Sequence, residues 1–183
     1  MSALIRHFND REAESPLHII LAQALTRGEK MDFMVQKAVE LGVKTFIPLV
    51  TERANVRLDA EREAKRMQHW QAIIEGACEQ SGRNRLPELM APMAFESCVK
   101  TIVAAHKFIL CPEEGVASPN EKWAKETRVL LMIGPEGGFS ATEVALAKRS
   151  GYCALNLGPR ILRAETATIA ALTVIQAMCG DMG

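Results

Sequence analysis

The sequence predicts an α/β fold, a mostly parallel sheet with helices on both faces. Three observations carry this expectation. Segments of strand and helix character alternate along the chain. Residues 107–111 (KFILC) and 128–133 (RVLLMI) are short apolar runs bounded by breakers, the pattern of parallel strands buried on both faces. Two glycine-bearing turns each join a strand to a helix, and open α/β sheets bind ligands at such places. The 183 residues suit a single domain able to bury its own core.

Residues 1–16 mix charges without periodicity and end in Ser15-Pro16, so they read as a linker or the remnant of an upstream domain. Residues 17–25 (LHIILAQAL) begin as a strand and stop at Thr26-Arg27-Gly28. Over 30–41 the apolar positions Met31, Met34, Val35, Ala38 and Leu41 recur at helical spacing and end at Gly42. Residues 45–50 (TFIPLV) read as a buried strand, and Pro48 inside it argues for an edge or a bulge. Asp59 can cap a helix running to about residue 80, with an apolar stripe of Ala60, Ala64, Met67, Trp70, Ile74, Ala77 and Cys78. The polar loop Ser81-Gly82-Arg83-Asn84-Arg85 follows, then a short helix over 94–102.

Between the strands at 107–111 and 128–133, residues 112–127 read as a loop with a turn of helix. Residues 134–139 (GPEGGF) form a glycine-rich loop. Ser140 and Glu143 have capping-box spacing and should open a helix over 141–149. A strand over 152–157 leads through Gly158-Pro159-Arg160 to a last helix over 163–178. That helix is apolar almost all round, which predicts burial on several sides and a subunit interface.

Hydrophobic residues make up 48% and charged residues 24%, the balance of an ordinary soluble protein. No apolar run approaches the ~18 residues of a membrane span, and the first fifteen residues are too polar for a secretory signal. Lys plus Arg and Asp plus Glu both number 22, so the net charge is zero. This excludes a uniformly basic nucleic-acid binder but not a local basic patch. The five cysteines (78, 98, 111, 153 and 179) include no C-x-x-C pair, which argues against disulfides or structural zinc and for a reducing compartment, the cytoplasm. The four histidines are scattered and offer no metal site.

Two loops are the candidates for chemistry. In the first, Gly134, Pro135, Glu136 and Gly137 follow a strand, but no phosphate-loop pattern is present. A plain tight turn preset by Pro135 is the alternative. In the second, Arg160, Arg163 and Glu165 stand near a helix N-terminus, suited to a polar or anionic ligand. Otherwise Glu165 only complements the helix dipole. A basic cluster of Arg53, Arg57, Arg83 and Arg85 suits phosphate contact, with a solvated surface as the plainer reading.

The motifs LIGPEGG and LG-x-R-I-L-R-x-E-T-A carry a resemblance. Residues 132–140 (MIGPEGGFS) and 157–167 (LGPRILRAETA), with 26–40 (TRGEKMDFMVQKAVE), 48–55 (PLVTERAN) and 77–87 (ACEQSGRNRLP), resemble the bacterial 16S ribosomal RNA (uracil-N3)-methyltransferase family of the SPOUT superfamily. The resemblance covers nearly all of 17–183, which it implies is the methyltransferase domain. Family members carry an N-terminal PUA-like β-barrel, and residues 1–16 fall where that domain would end. The resemblance further implies a C-terminal deep trefoil knot, a homodimer, S-adenosylmethionine as cofactor and N3 of a uridine in 16S rRNA as substrate.

On that resemblance Leu110, Ile133, Leu157 and Leu162 line an adenine slot. Gly134, Gly137 and Gly158 offer main-chain groups. Pro135, Glu136, Ile161, Thr166 and Ala167 complete the cofactor site. Arg163, with Arg160 second, stabilises the anion on the uracil carbonyls, and Glu136 or Glu165 takes the N3 proton. Arg53, Arg83 and Arg85 contact the rRNA. The rival readings are a SPOUT methyltransferase for another RNA, and an inactive RNA-binding or ribosome-assembly module of the same fold.

Overall fold

A computed structural model describes residue 10 and residues 12–54, 60–111 and 123–183. Strict alternation along the strands sets the architecture. Among the described residues seven strands form one sheet: β1 (His18–Ala24), β2 (Val43–Val50), β3 (Glu88–Leu89), β4 (Met93–Ala94), β5 (His106–Leu110), β6 (Arg128–Ile133) and β7 (Cys153–Leu155). The order is β3-β2-β1-β6-β5-β7, with β4 also on β2, and every pairing is parallel.

Ile19, Leu21, Val129, Leu131 and Ile133 point to one face. There they pack with α1 (Glu29–Glu40), α2 (Ala60–Ser81) and α5 (Ala164–Cys179). Ile20, Ala22, Leu130 and Met132 point to the other, against α3 (Phe95–Thr101) and α4 (Ala141–Arg149). Successive strand side chains go to opposite faces, so a continuous apolar run needs cover on both. The expected strands and helices are present, with ends moved by a few residues.

Pro48 lies in an inner strand, flanked by β1 and by β3 and β4. The Phe46 carbonyl accepts from Met90 on the outer side, and the Leu49 carbonyl accepts from Leu25 on the β1 side. The backbone groups alternate sides, so Pro48 presents its missing donor to the outer side. That side is open there, between the pairs made by Thr45–Phe46 with β3 and Leu49–Val50 with β4. A register shift does occur in β2, at its other end, between the partners of Ile19 and Ile20.

Several expectations change. The stripe of α2 is buried at Trp70, Ile74, Ala77 and Cys78, but Ala60 and Ala64 are exposed because the first turns run past the sheet. Capping by Asp59 and the loop over 112–122 lie outside the described residues. Close packing begins before Leu17. Ser15 is buried, its hydroxyl donates to Gln176 Oε1 (2.9 Å), and the Gln176 amide donates to the Leu41 carbonyl (2.7 Å). Within the single chain α5 buries one face, through Ala164, Ala167, Ala171, Leu172 and Ile175, and leaves Met178 outside at 40% exposure.

Candidate active site

The carboxyl ends of β6, β5 and β7 lie side by side, so their loops open at one edge of the sheet. Leu110 ends β5, Ile133 ends β6, and Leu157 and Leu162 flank the turn after β7. Ile133 is buried, and the other three are half-buried against the same apolar cluster on the α5 side. The four expected slot residues therefore share one face.

The loop after β6 is a tight turn, as its Pro135 implied. The Gly138 N–H donates to the Pro135 carbonyl at 2.8 Å. A Cβ on Gly134 would stand 3.2 Å from the Gly138 carbonyl carbon and 3.2 Å from the Phe139 nitrogen. A side chain at Gly134 would thus crowd the loop's own returning backbone, which would have to give by a few tenths of an ångström. Gly158 has φ of +101°, a conformation that side chains disfavour, and its N–H donates to Asn156 Oδ1 at 2.8 Å. Pro135 is buried and Gly137 exposed; across the second turn Gly158, Arg160, Arg163 and Thr166 are exposed and Ala167 is buried.

Ile161 does not join the slot. It is 91% exposed. The chain approaches α5 extended, and Arg163 keeps φ −66° and ψ 155°. Neighbouring side chains there face opposite ways, which turns Leu162 inward and Ile161 out.

Glu136 of the first loop and Arg163 and Glu165 of the second act on Lys30, which sequence reasoning left unassigned. Lys30 Nζ donates to Glu136 Oε1 at 2.7 Å and feels the charges of Glu165 and Arg163. The hydrogen bond from Lys30, then a backbone hydrogen bond, hold the Glu136 carboxyl below its ordinary range. Glu165 differs: its Oε2 is buried and has no hydrogen-bond partner among the described residues. The same is true of the hydroxyls of Thr26 and Thr51, beyond the carboxyl ends of β1 and β2. The strand-end rule that singled out two loops applies equally to β1, and would have found Thr26 and Lys30.

The arginines divide. Arg83 is buried and faces inward. Its guanidinium donates to the Val39 and Val43 carbonyls, both at 2.9 Å, and to both oxygens of Glu14. The expectation that Arg83 contacts RNA is corrected, because its donors are consumed inside the fold. Arg85 is 70% exposed, 3.7 Å from Glu12. Arg53 is exposed, and its Nη1 donates to the Gly137 carbonyl at 2.8 Å. Arg57 of the same cluster lies outside the described residues.

A separate cavity of about 270 Å³ lies between α1 and α2, lined by Gly28, Glu29, Met31, Asp32, Arg66, His69 and Trp70. Asp32 spans it, accepting from Trp70 Nε1 at 3.1 Å with His69 Nε2 at 2.7 Å from its other oxygen. Among the described residues no group of His, Cys, Asp and Glu could hold a metal, and no helix is long and apolar enough to cross a membrane.

These features define a parallel α/β protein whose loops after β5, β6 and β7 set charged side chains beside an apolar cluster at the carboxyl edge of the sheet. The chain belongs to the RNA methyltransferase family, whose domain matches residues 13–176. Ribosomal RNA small subunit methyltransferase E of Buchnera aphidicola (Schizaphis graminum) is 40% identical over 173 residues, covering 94% of this chain and 70% of that protein. The protein of the same name from Bacillus subtilis is 31% identical over 183 residues, covering 96% and 72%. The crystal structure of Ribosomal RNA small subunit methyltransferase E from Neisseria gonorrhoeae, bound to S-adenosyl methionine, superposes with a TM-score of 0.87 at 39% identity over 96% of this chain and 72% of that one.

Proposed function

We propose that this chain methylates N3 of a uridine in 16S ribosomal RNA, with S-adenosylmethionine as donor. The observation that carries the reading is the convergence of Lys30, Glu136, Arg163 and Glu165 beside an apolar slot, in a chain of this family. The slot of Leu110, Ile133, Leu157 and Leu162 takes the adenine, and main-chain groups at Gly134, Gly137 and Gly158 meet its polar edge. Pro135, Thr166 and Ala167 flank that site. The cofactor, when bound, supplies a sulfonium methyl group for in-line displacement.

The residues present fit the acceptor half of the reaction. Neutral uracil carries a proton on N3 and is a poor nucleophile there. Glu165 Oε2 is a buried acceptor with no donor among the described residues, and leaving such an oxygen unpaired costs about 1–3 kcal/mol. A substrate N–H brought to it would satisfy it, and this supports Glu165 as the proton acceptor. Glu136 is already paired and its carboxyl is held low, which makes it the poorer base. Arg163 stabilises the anion left on the uracil carbonyls, with Arg160 next to it along the loop. Arg85 and Arg53 remain the residues for rRNA contact.

The remaining expectations follow from this reading. Residues 17–183 form the catalytic domain, and of the linker expected over 1–16, Glu14 and Ser15 pack into that domain on Arg83 and Gln176. The chain between β7 and α5 passes through a trefoil knot. Support comes from α5, which follows the edge strand β7 yet packs on α1 and β6. The partly exposed outer face of α5, with Met178, supports a homodimer. Cysteines outside any disulfide support a reducing compartment, the cytoplasm.

The test supplies labelled S-adenosylmethionine and unmodified small ribosomal subunits, then separates the nucleosides. Label in N3-methyluridine is expected. Glu165→Gln and Arg163→Ala should each lower turnover about a hundredfold while cofactor affinity stays within about threefold. A different labelled nucleoside would move the activity to another target. No label would favour the inactive module, and full turnover in both variants would remove their roles.

A further inference from the structure

The turn after β2 grips the glycine-rich loop at two points. The Glu52 N–H donates to Glu143 Oε1 at 2.9 Å, while Glu143 Oε2 accepts from the Ser140 N–H at 2.8 Å. One buried carboxylate therefore joins residue 52 to the N-terminus of α4. The second point is Arg53. Its Nη1 donates to the Gly137 carbonyl, and its stem lies so close that a Cβ on Gly137 would stand 3.7 Å from Arg53 Cβ and Cδ. Arg53 is exposed all the same.

We infer that Arg53 is a positioning residue that couples rRNA binding to cofactor binding. The proposal rests on the methyltransferase reading above. A guanidinium carries five donors in a fixed fork, and the Gly137 carbonyl engages one nitrogen. The group has the capacity to hold an RNA phosphate and Gly137 together. A phosphate on Arg53 fixes its rotamer, and the fixed guanidinium holds the Gly134–Gly138 turn in its ligand-ready form. Each ligand then favours the other, as any coupling between two sites requires. The buried Glu143 link keeps residue 52 in place while this happens, so the motion is confined to the Arg53 side chain.

The experiment uses labelled S-adenosylhomocysteine, which binds without turnover, in equilibrium dialysis with and without unmodified small ribosomal subunits. The wild-type chain should bind it about fivefold or more tightly when subunits are present. In Arg53→Ala that ratio should fall to about one, and the salt dependence of subunit binding should lose about one phosphate contact. Arg53→Lys, which keeps a cation but loses the fork, should restore part of the ratio. Matched thermal midpoints exclude a folding defect. A ratio of one in the wild type, or an unchanged ratio in Arg53→Ala, overturns the coupling. Failure of the wild type to methylate the subunits at all instead removes the reading beneath it.

Discussion

Arg83 carries its charge into the protein, and its partner is sixty-nine positions away. The side chains of Arg83 and Glu14 are 3% and 5% exposed. Removing one member of a buried pair leaves the other charged and unpaired, which costs about 3–5 kcal/mol. Arg83→Ala should lose about that much stability in urea unfolding, and a loss below about 1 kcal/mol would show that Glu14 finds water instead. The sequence displays that residue 83 is cationic but not where it points, because its acceptors are two carbonyls and a distant carboxylate. Arg53 was legible as a charge on a turn, and its hold on Gly137 was not. The glycines were read better. Their tight turn was the alternative reading at Pro135, and the crowding at Gly134 comes from its own loop.

At the scale of elements, short apolar runs bounded by breakers were enough for β5 and β6, whose residues are covered on both faces, and helical spacing was enough for α1. Such signals were too weak for β3 and β4. Two residues have no period, and each exists only because β2 offers an outer edge on either side of Pro48. The capping box at Ser140 and Glu143 was visible from spacing alone, and both of its hydrogen bonds form. Its third bond, to the Glu52 N–H, joins elements far apart in sequence. The start of β1 makes a pH prediction. Burial, then the charges of Arg128 and Lys44, lower the His18 pKa from 6.5, against smaller opposing effects of Glu126 and Glu88. The unfolded chain therefore takes up this proton first as pH falls. The contribution is complete above 6.5 and is lost as pH drops from there toward the lower folded value. His18→Asn should show a smaller fall in thermal midpoint between about pH 7.5 and 5.5 than the wild type. An identical fall would place the sensitivity elsewhere.

For the whole molecule, alternation of elements gave the layers, and the strand-end rule gave the edge proposed for the ligand. The proposed knot comes only with the family resemblance, since no local pattern records how a chain is threaded, whereas the proposed homodimer also draws on the apolar last helix. Two places could receive the cofactor: the edge formed by the loops after β5, β6 and β7, and the cavity between α1 and α2. Titrating the isotope-labelled chain with S-adenosylmethionine and following every backbone amide decides between them. Saturable shifts should appear together in residues 134–138, in 157–163 and at Leu110. Shifts confined to Gly28, Asp32 and His69, or a single loop responding alone, would contradict a shared methyl-donor site at that edge.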